Sequence, residues 1–335
     1  MIAFAYRPMG FREIGGIHVV ATEVARRLRD SQFASTGLWT LRTTLKSLPH
    51  EEKCGVLHGT QPIERVRPGE RLLLFGCDSA WAYLLAIHIR CFNPSVRIAW
   101  LPSFHDPDFV KHRWRARLAQ VVLKMMQRIG INVYAQTIHE QKLLQGGRCL
   151  LSSHALPLAV LQRLKVEQAH SCPDARQRPF DLLFLGRPTE QKGWSRFLAV
   201  VQETGLRSAA IVPTPPPSSD ISRSPTLTVV VSPTANEIPS LLRQAKLVLI
   251  PSDYESLGLA QIEAVASGCV VPILGRWPLW DQFSLLHWET SSRDELVTSC
   301  LRLSRQPSML SRLSRMQRSY LLQHPMMDTP FLPDF

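Results

Sequence analysis

The sequence predicts an α/β protein of two domains, each built on a doubly wound parallel sheet. Three observations lead there. Short apolar strand patterns alternate with amphipathic helical patterns in both halves of the chain, and such alternation pairs strands in parallel. A polar stretch, Gln168 to Pro179, interrupts the alternation once, with Cys172-Pro173 and Arg178-Pro179 as its turn formers. The 335 residues suit two domains of roughly 150 to 170 residues each. The boundaries that follow are an N-terminal domain over 1–167, a linker over 168–179, a C-terminal domain over 180–323 and an irregular tail over 324–335.

The elements justify this in order. Ile2 to Tyr6 is a short apolar strand, and the Gly15-Gly16 pair opens a helical pattern over Ile17 to Arg29. Strand Arg71 to Phe75, helix Trp81 to Ile89 and strand Val96 to Leu101 follow, the last running into the loop Pro102-Ser103-Phe104-His105-Asp106. Trp114 to Ile129 has the period of an amphipathic helix, and Asn132 to Gln136 is a strand. After the linker come strand Asp181 to Leu185, helix Trp194 to Thr204, strand Ser208 to Val212 and a Pro/Ser-rich loop to Pro225. Strand Thr226 to Val231, helix Asn236 to Gln244 and strand Leu247 to Ile250 are next. Helix Leu259 to Ser267, strand Cys269 to Ile273 and a basic helical stretch from Arg293 to Gln323 complete the second half.

Composition narrows the function classes. Hydrophobic residues at 45% and charged residues at 20% are ordinary for a globular chain. No apolar run approaches the roughly 18 residues of a bilayer span. Met1 to Gly10 reads as a buried first strand rather than a signal peptide, because Arg7 and Pro8 interrupt it. The seven cysteines are scattered and never spaced as CxxC, which argues against a disulfide framework or structural zinc and points to a reducing, cytoplasmic location. No His/Cys cluster has ligand spacing, so no metal and no other cofactor is expected. The net charge of +12 is uneven: residues 1–170 carry 23 Lys and Arg against 12 Asp and Glu, and residues 171–335 carry 16 against 15. The first half is therefore suited to an anionic partner, although a plain solubility charge gives the same count. No recognition-helix, zinc or aromatic RNA-binding motif is present, so nucleic acid is not the expected partner.

Four strings carry chemistry. The first runs from Pro251-Ser252-Asp253-Tyr254-Glu255 through Ser256-Leu257-Gly258-Leu259 to Glu263-Ala264, with Gly268 closing the helix. An apolar strand enters it and a helix leaves it, and ligands in such folds bind beyond the carboxyl ends of the strands. The peptide N–H groups around Ser256, Leu257 and Gly258 are expected at the helix start, where they can hold an anion such as a diphosphate. Glu255 lies at the mouth of the loop, and Glu263, about two turns along, falls near the same face. The second string, Phe184-Leu185-Gly186-Arg187 to Lys192-Gly193, is a strand, a glycine turn and two cations before a helix. A departing diphosphate builds negative charge that fixed positive groups must meet. The third is Gly15-Gly16, which lets backbone approach a ligand closely, though a simple turn fits it too. Without a GxGxxG, a nicotinamide enzyme is disfavoured. The fourth is His105 at a strand end, either beside a ligand or bonded locally to Asp106 or a carbonyl.

The first two strings resemble the E-x7-E signature and the G-R…K-G element of the retaining glycosyltransferases of family 4, glycosyl transferases group 1. The resemblance is dense over Asp181 to Leu274 and thin over the N-terminal half. It implies the GT-B fold, two Rossmann-like doubly wound parallel-sheet domains facing a cleft. It implies a retaining, metal-independent transferase that moves a sugar from a nucleotide-diphosphate sugar to a glycan or lipid-linked acceptor, as in polysaccharide biosynthesis. In that scheme Arg187 and Lys192 contact the donor diphosphate, Glu255 meets the sugar and Glu263 the ribose. Gly15 and Gly16 face the donor phosphates, and His105 lies near the donor sugar or acceptor. One departure stands out: Gly275 to Asp281, with Trp277 and Trp280, replaces a small glycine-rich turn and bears on donor choice. A different GT-B enzyme, such as a nucleotide-sugar epimerase or a phosphorylase, is an alternative. So is a degenerate, non-catalytic sugar-nucleotide-binding protein.

The helix Trp114 to Ile129 has a further reading. Trp114, Leu118, Val121, Val122, Met125, Met126 and Ile129 share one face at helical spacing, with Arg113, Arg117, Lys124 and Arg128 beside it. A core helix with a solvated basic edge explains this pattern. An interfacial helix on an anionic membrane explains it equally, and would place the protein peripherally at the inner membrane face.

Overall fold

The structure is a computed structural model that describes residues 2–5, 23, 37–40, 69, 71–75, 80–101, 113–135, 141–142, 149–151, 158–166, 175–252, 255, 257–274, 287–288, 293–324 and 327. It divides into two compact units, one covering the chain up to Pro157 and one running from Leu158 to Met327.

The first unit holds a six-stranded parallel sheet in the order β2-β1-β3-β4-β5-β6. Its strands are β1 Ile2–Ala5, β2 Gly37–Thr40, β3 Arg71–Phe75, β4 Arg97–Leu101, β5 Asn132–Ala135 and β6 Cys149–Leu151. Helix α1, Ala80–Phe92, links β3 to β4, and α2, Arg113–Arg128, links β4 to β5. Leu72 to Leu74, Ile98 to Leu101 and Val133 to Ala135 are buried in unbroken runs, as strands covered on both faces require. The chain steps from β1 outward to β2 and then crosses back to β3, so the strand order reverses between β1 and β3. The sequence pattern passes over β2 and β6, and β6, at three residues, is too short to leave a periodic signal.

The second unit holds a four-stranded parallel sheet, order β10-β7-β8-β9, made of β7 Phe180–Leu185, β8 Ser208–Val212, β9 Leu227–Val231 and β10 Ala245–Val248. From β7 the chain steps outward through β8 and β9, and β10 then returns to the other side of β7. The topological switch therefore lies between β7 and β10, where open α/β sheets bind ligands. Helices α3 Leu158–Val166, α4 Trp194–Thr204, α5 Ser218–Ser222, α6 Ile238–Leu242 and α7 Leu259–Ala266 surround it. A two-stranded pair, β11 Ile273–Leu274 with β12 His287–Trp288, precedes α8 Arg293–Ser304 and α9 Pro307–Gln323. The single helical stretch predicted over Arg293 to Gln323 is thus two helices, with Pro307 opening the second.

The boundary differs from the sequence reading, which kept α3 in the N-terminal domain and began the linker at residue 168. α3 packs on α7 and α9, and the buried Arg318 guanidinium of α9 donates to the carbonyls of Arg163 and Leu164 at its end. Part of the expected linker also belongs to the second unit. Ala175 is buried, and Arg178 donates to Ala245 O at 2.7 Å and Gly268 O at 3.1 Å. Contacts between residues this far apart in sequence leave no local pattern.

Candidate functional site

The site grows from the two loops at the switch point. β7 ends at Leu185, and Gly186 and Arg187 lead into a short 3₁₀ turn, Glu190–Lys192. Gly193 follows with φ +73°, a left-handed conformation that other residues adopt only at a cost. It is required for a second reason: a Cβ there would lie 1.9 Å from the carbonyl oxygen of Pro251, in the loop that leaves β10. Gly193 thus lets the two loops touch backbone to backbone. Trp194 anchors the next turn, buried against Phe184 and Phe197, with its indole N–H donating to Asp220 at 2.9 Å. The lysine is held between these fixed points.

Across that contact Lys192 Nζ donates to Glu255 Oε1 at 2.5 Å, and Ser252 Oγ donates to the same oxygen at 2.6 Å. The ion pair is largely buried, with the lysine side chain 20% and the glutamate 10% exposed. Two charges removed from water in this way must hold each other, and their positions become fixed. Downstream, Gly258 at φ +69° caps α7, whose first turn carries the orphan N–H groups of any helix start.

The other expected residues separate into groups. Arg187 is half-buried in the loop after β7, and its Nη2 lies 3.5 Å from Gln191 Oε1. Leu257 is buried before the cap. Glu263 does not join Glu255: it faces Arg163 of α3 at 3.9 Å. Gly15, Gly16, His105, Ser256, Trp277 and Trp280 lie outside the described residues. So does Asp106-Pro107-Asp108, an Asp-x-Asp spacing of carboxylates. Among the described residues, no three His, Cys, Asp or Glu side chains gather as a metal site would require.

Sequence reasoning missed three participants. Ser252 had a signal, the Ser-x-x-Glu spacing that lets a hydroxyl meet a carboxylate three residues on. Arg163 had none, because it arrives from α3. Gln261 is fully buried in the first turn of α7, with its amide over Gly258 and neither Oε1 nor Nε2 partnered among the described residues. A buried amide without partners costs about 1–3 kcal/mol. Gln261→Met, of similar volume, is expected to stabilise the unliganded protein by that order, and denaturant titration checks it.

Burial pushes the Glu263 carboxyl above its ordinary value, and Arg163 pulls it partly back. A raised carboxyl binds its proton more tightly in the folded state. Its stabilising contribution is then full below the unfolded value and is lost as pH rises through the folded one. Glu263→Gln is accordingly expected to melt above the wild type at pH 7 without ligand, the gap closing toward about pH 4. A gap that does not change with pH would contradict this.

No protein-family model matches the chain, and no curated protein matches it. Solved structures match it along nearly its whole length. A sucrose-phosphate synthase from Thermosynechococcus elongatus is 15% identical with a TM-score of 0.66, covering 96% of this chain and 94% of that one. HepE from Anabaena, in complex with UDP-glucose, is 12% identical with a TM-score of 0.65, covering 98% and 96%. WaaG, a glycosyltransferase involved in lipopolysaccharide biosynthesis, is 11% identical with a TM-score of 0.61, covering 97% and 96%. The fold is GT-B. What is shared at these identities is the backbone arrangement, and the site rests on this chain's own residues.

Proposed function

We propose that this chain is a retaining, metal-independent glycosyltransferase that moves a sugar from a nucleotide-diphosphate sugar to a glycan or lipid-linked acceptor. The observation that carries the reading is the Lys192–Glu255 pair, joined across the switch point of the second sheet and next to the start of α7. A switch point with fixed cationic and N–H groups suits a diphosphate, and a carboxylate beside them suits sugar hydroxyls. Neighbours of the same fold support it, HepE being in complex with UDP-glucose.

In this reaction the bond between the sugar's anomeric carbon and the donor phosphate breaks, and the nucleoside diphosphate leaves. Arg187, Lys192 and the α7 N-terminus stabilise the charge that builds on it. The acceptor hydroxyl forms the new bond on the same face and passes its proton to a departing phosphate oxygen. Glu255 orients the sugar and keeps the Lys192 ammonium in place. Glu263 takes the ribose, and Gly15, Gly16, Ser256 and His105 complete the donor and acceptor contacts. The protein works in the cytoplasm and peripherally at a membrane.

The test is release of nucleoside diphosphate with a panel of glycan and lipid-linked acceptors, in the presence of a chelator. Release that needs an acceptor and survives chelation is expected. Isomerised donor with no acceptor requirement would indicate an epimerase, and complete, reversible loss on chelation would overturn metal independence.

A further inference from the structure

Among the described residues eleven large apolar side chains are exposed, and eight of them belong to α1, to α2 or to Ile129 just beyond it. α2 resolves the ambiguity left by its sequence. Leu123 and Met126 face the core, while Trp114, Leu118, Val121 and Met125 are each more than half exposed. The predicted apolar face is therefore divided, with Met126 inside and these four in solvent. At 100° per residue the four fall within about 60° of one another. Arg117, Lys124 and Arg128, all exposed, form a stripe directly beside them.

α1 adds a second apolar stripe. Leu84, Ile87 and Phe92 are exposed, while Ala86 and Ile89 are buried. The crossovers from β3 to β4 and from β4 to β5 step the same way across the sheet, and right-handed connections put both helices on one face. Arg90 Nε donates to Ile129 O at 2.6 Å, which ties the two helix ends together. Neither helix contains an Asp or Glu.

We infer that the α1–α2 face docks on an anionic phospholipid bilayer, with the apolar stripes entering the headgroup region and the basic stripe meeting lipid phosphates. Exposed apolar area on this scale marks an interaction surface. The charge selects the occupant: basic residues beside an apolar stripe, with no acidic residue among them, complement an anionic lipid surface. A second copy fits less well, since two-fold pairing of this face would set its basic stripe against its own like. Among the described residues no helix is long and apolar enough to cross a membrane, so the contact is interfacial. The inference gives a surface to the peripheral location proposed above, and it stands independently of the donor site.

Sedimentation of the full chain with vesicles tests it. Binding is expected to mixed phosphatidylcholine–phosphatidylglycerol vesicles at low salt, with release as salt rises, and not to phosphatidylcholine alone. The triple variant Arg117→Gln, Lys124→Gln, Arg128→Gln should bind on the order of 100-fold more weakly, at about one kcal/mol per lost cation. Leu118→Ser, Val121→Ser, Met125→Ser should lose binding as fully, and both variants should keep wild-type melting and any nucleotide-induced shift, because the altered side chains are exposed. Equal binding to neutral and anionic vesicles would overturn the proposal. So would no binding to either, or self-association of the wild type that the serine variant abolishes while vesicle binding is absent. Loss of nucleotide binding in the wild type would instead count against the transferase reading alone.

Discussion

Lys192→Ala is expected to slow sugar transfer by about 10² to 10³, the scale of losing one preorganised group that stabilises transition-state charge. It should also cost stability, which an exposed cation would not. Removing the lysine leaves the Glu255 carboxylate largely buried, with Ser252 as its remaining partner among the described residues. Breaking such a pair from one side costs about 3–5 kcal/mol, most of it the uncompensated charge. The double variant Lys192→Ala, Glu255→Gln should therefore regain much of the stability and none of the rate. That split separates the two roles of the lysine: stability follows the charge balance, and turnover follows the ammonium. Denaturant melts and single-turnover rates on the two single variants and the double variant read it directly. Near-normal turnover in Lys192→Ala would remove the lysine from the mechanism.

Gly193→Ala should have the larger structural effect. The added methyl meets two obstacles. The left-handed backbone costs a residue with a Cβ about 1–2 kcal/mol. The Cβ also falls 1.9 Å from Pro251 O, a backbone atom that cannot rotate away. Relief requires the loop after β7 to separate from the loop after β10, and that separation breaks the Lys192–Glu255 contact. We expect a loss of more than about 4 kcal/mol, at the upper end for single substitutions. A folded fraction, if recovered at low temperature, should bind nucleotide sugars poorly. The control is Gly205→Ala: Gly205 has φ +63° and open space at its Cβ position, so it should cost only the backbone share. If the two glycine variants melted alike, the close approach at Pro251 would have no energetic weight.

The sequence and the structure agree where information is local. The strand before Gly186, the helix start after Gly193 and the strand entering Pro251 are all encoded within ten residues of where they act. These segments place Lys192 and Glu255 on neighbouring loops once β7 and β10 pair. Strand pairing itself is not local. Nothing near Phe180 announces that β10, more than sixty residues on, will be its neighbour, and the switch point emerges only with the order β10-β7-β8-β9. The same reason hides Arg163, which reaches Glu263 from a helix the sequence reading left in the other domain. In α2 the spacing identified an amphipathic helix correctly but not which arc faces inward. Apolar residues cover more than half of its circumference, so periodicity has two solutions, and packing on the sheet selects Leu123 and Met126.

A nucleotide-diphosphate sugar is expected to bind at the Lys192–Glu255 pair. The most direct measurement is a thermal-shift panel of UDP, GDP and ADP sugars on the wild type and on Glu255→Gln and Lys192→Ala, with uridine-diphosphate sugars first. A true donor at about 100 times its dissociation constant should stabilise the wild type by roughly 2.7 kcal/mol. A clear shift is expected with at least one member of the panel, much reduced in both variants relative to each variant's own unliganded melting point. A shift of equal size in all three proteins would place the ligand elsewhere, and no shift with any nucleotide sugar would contradict the account.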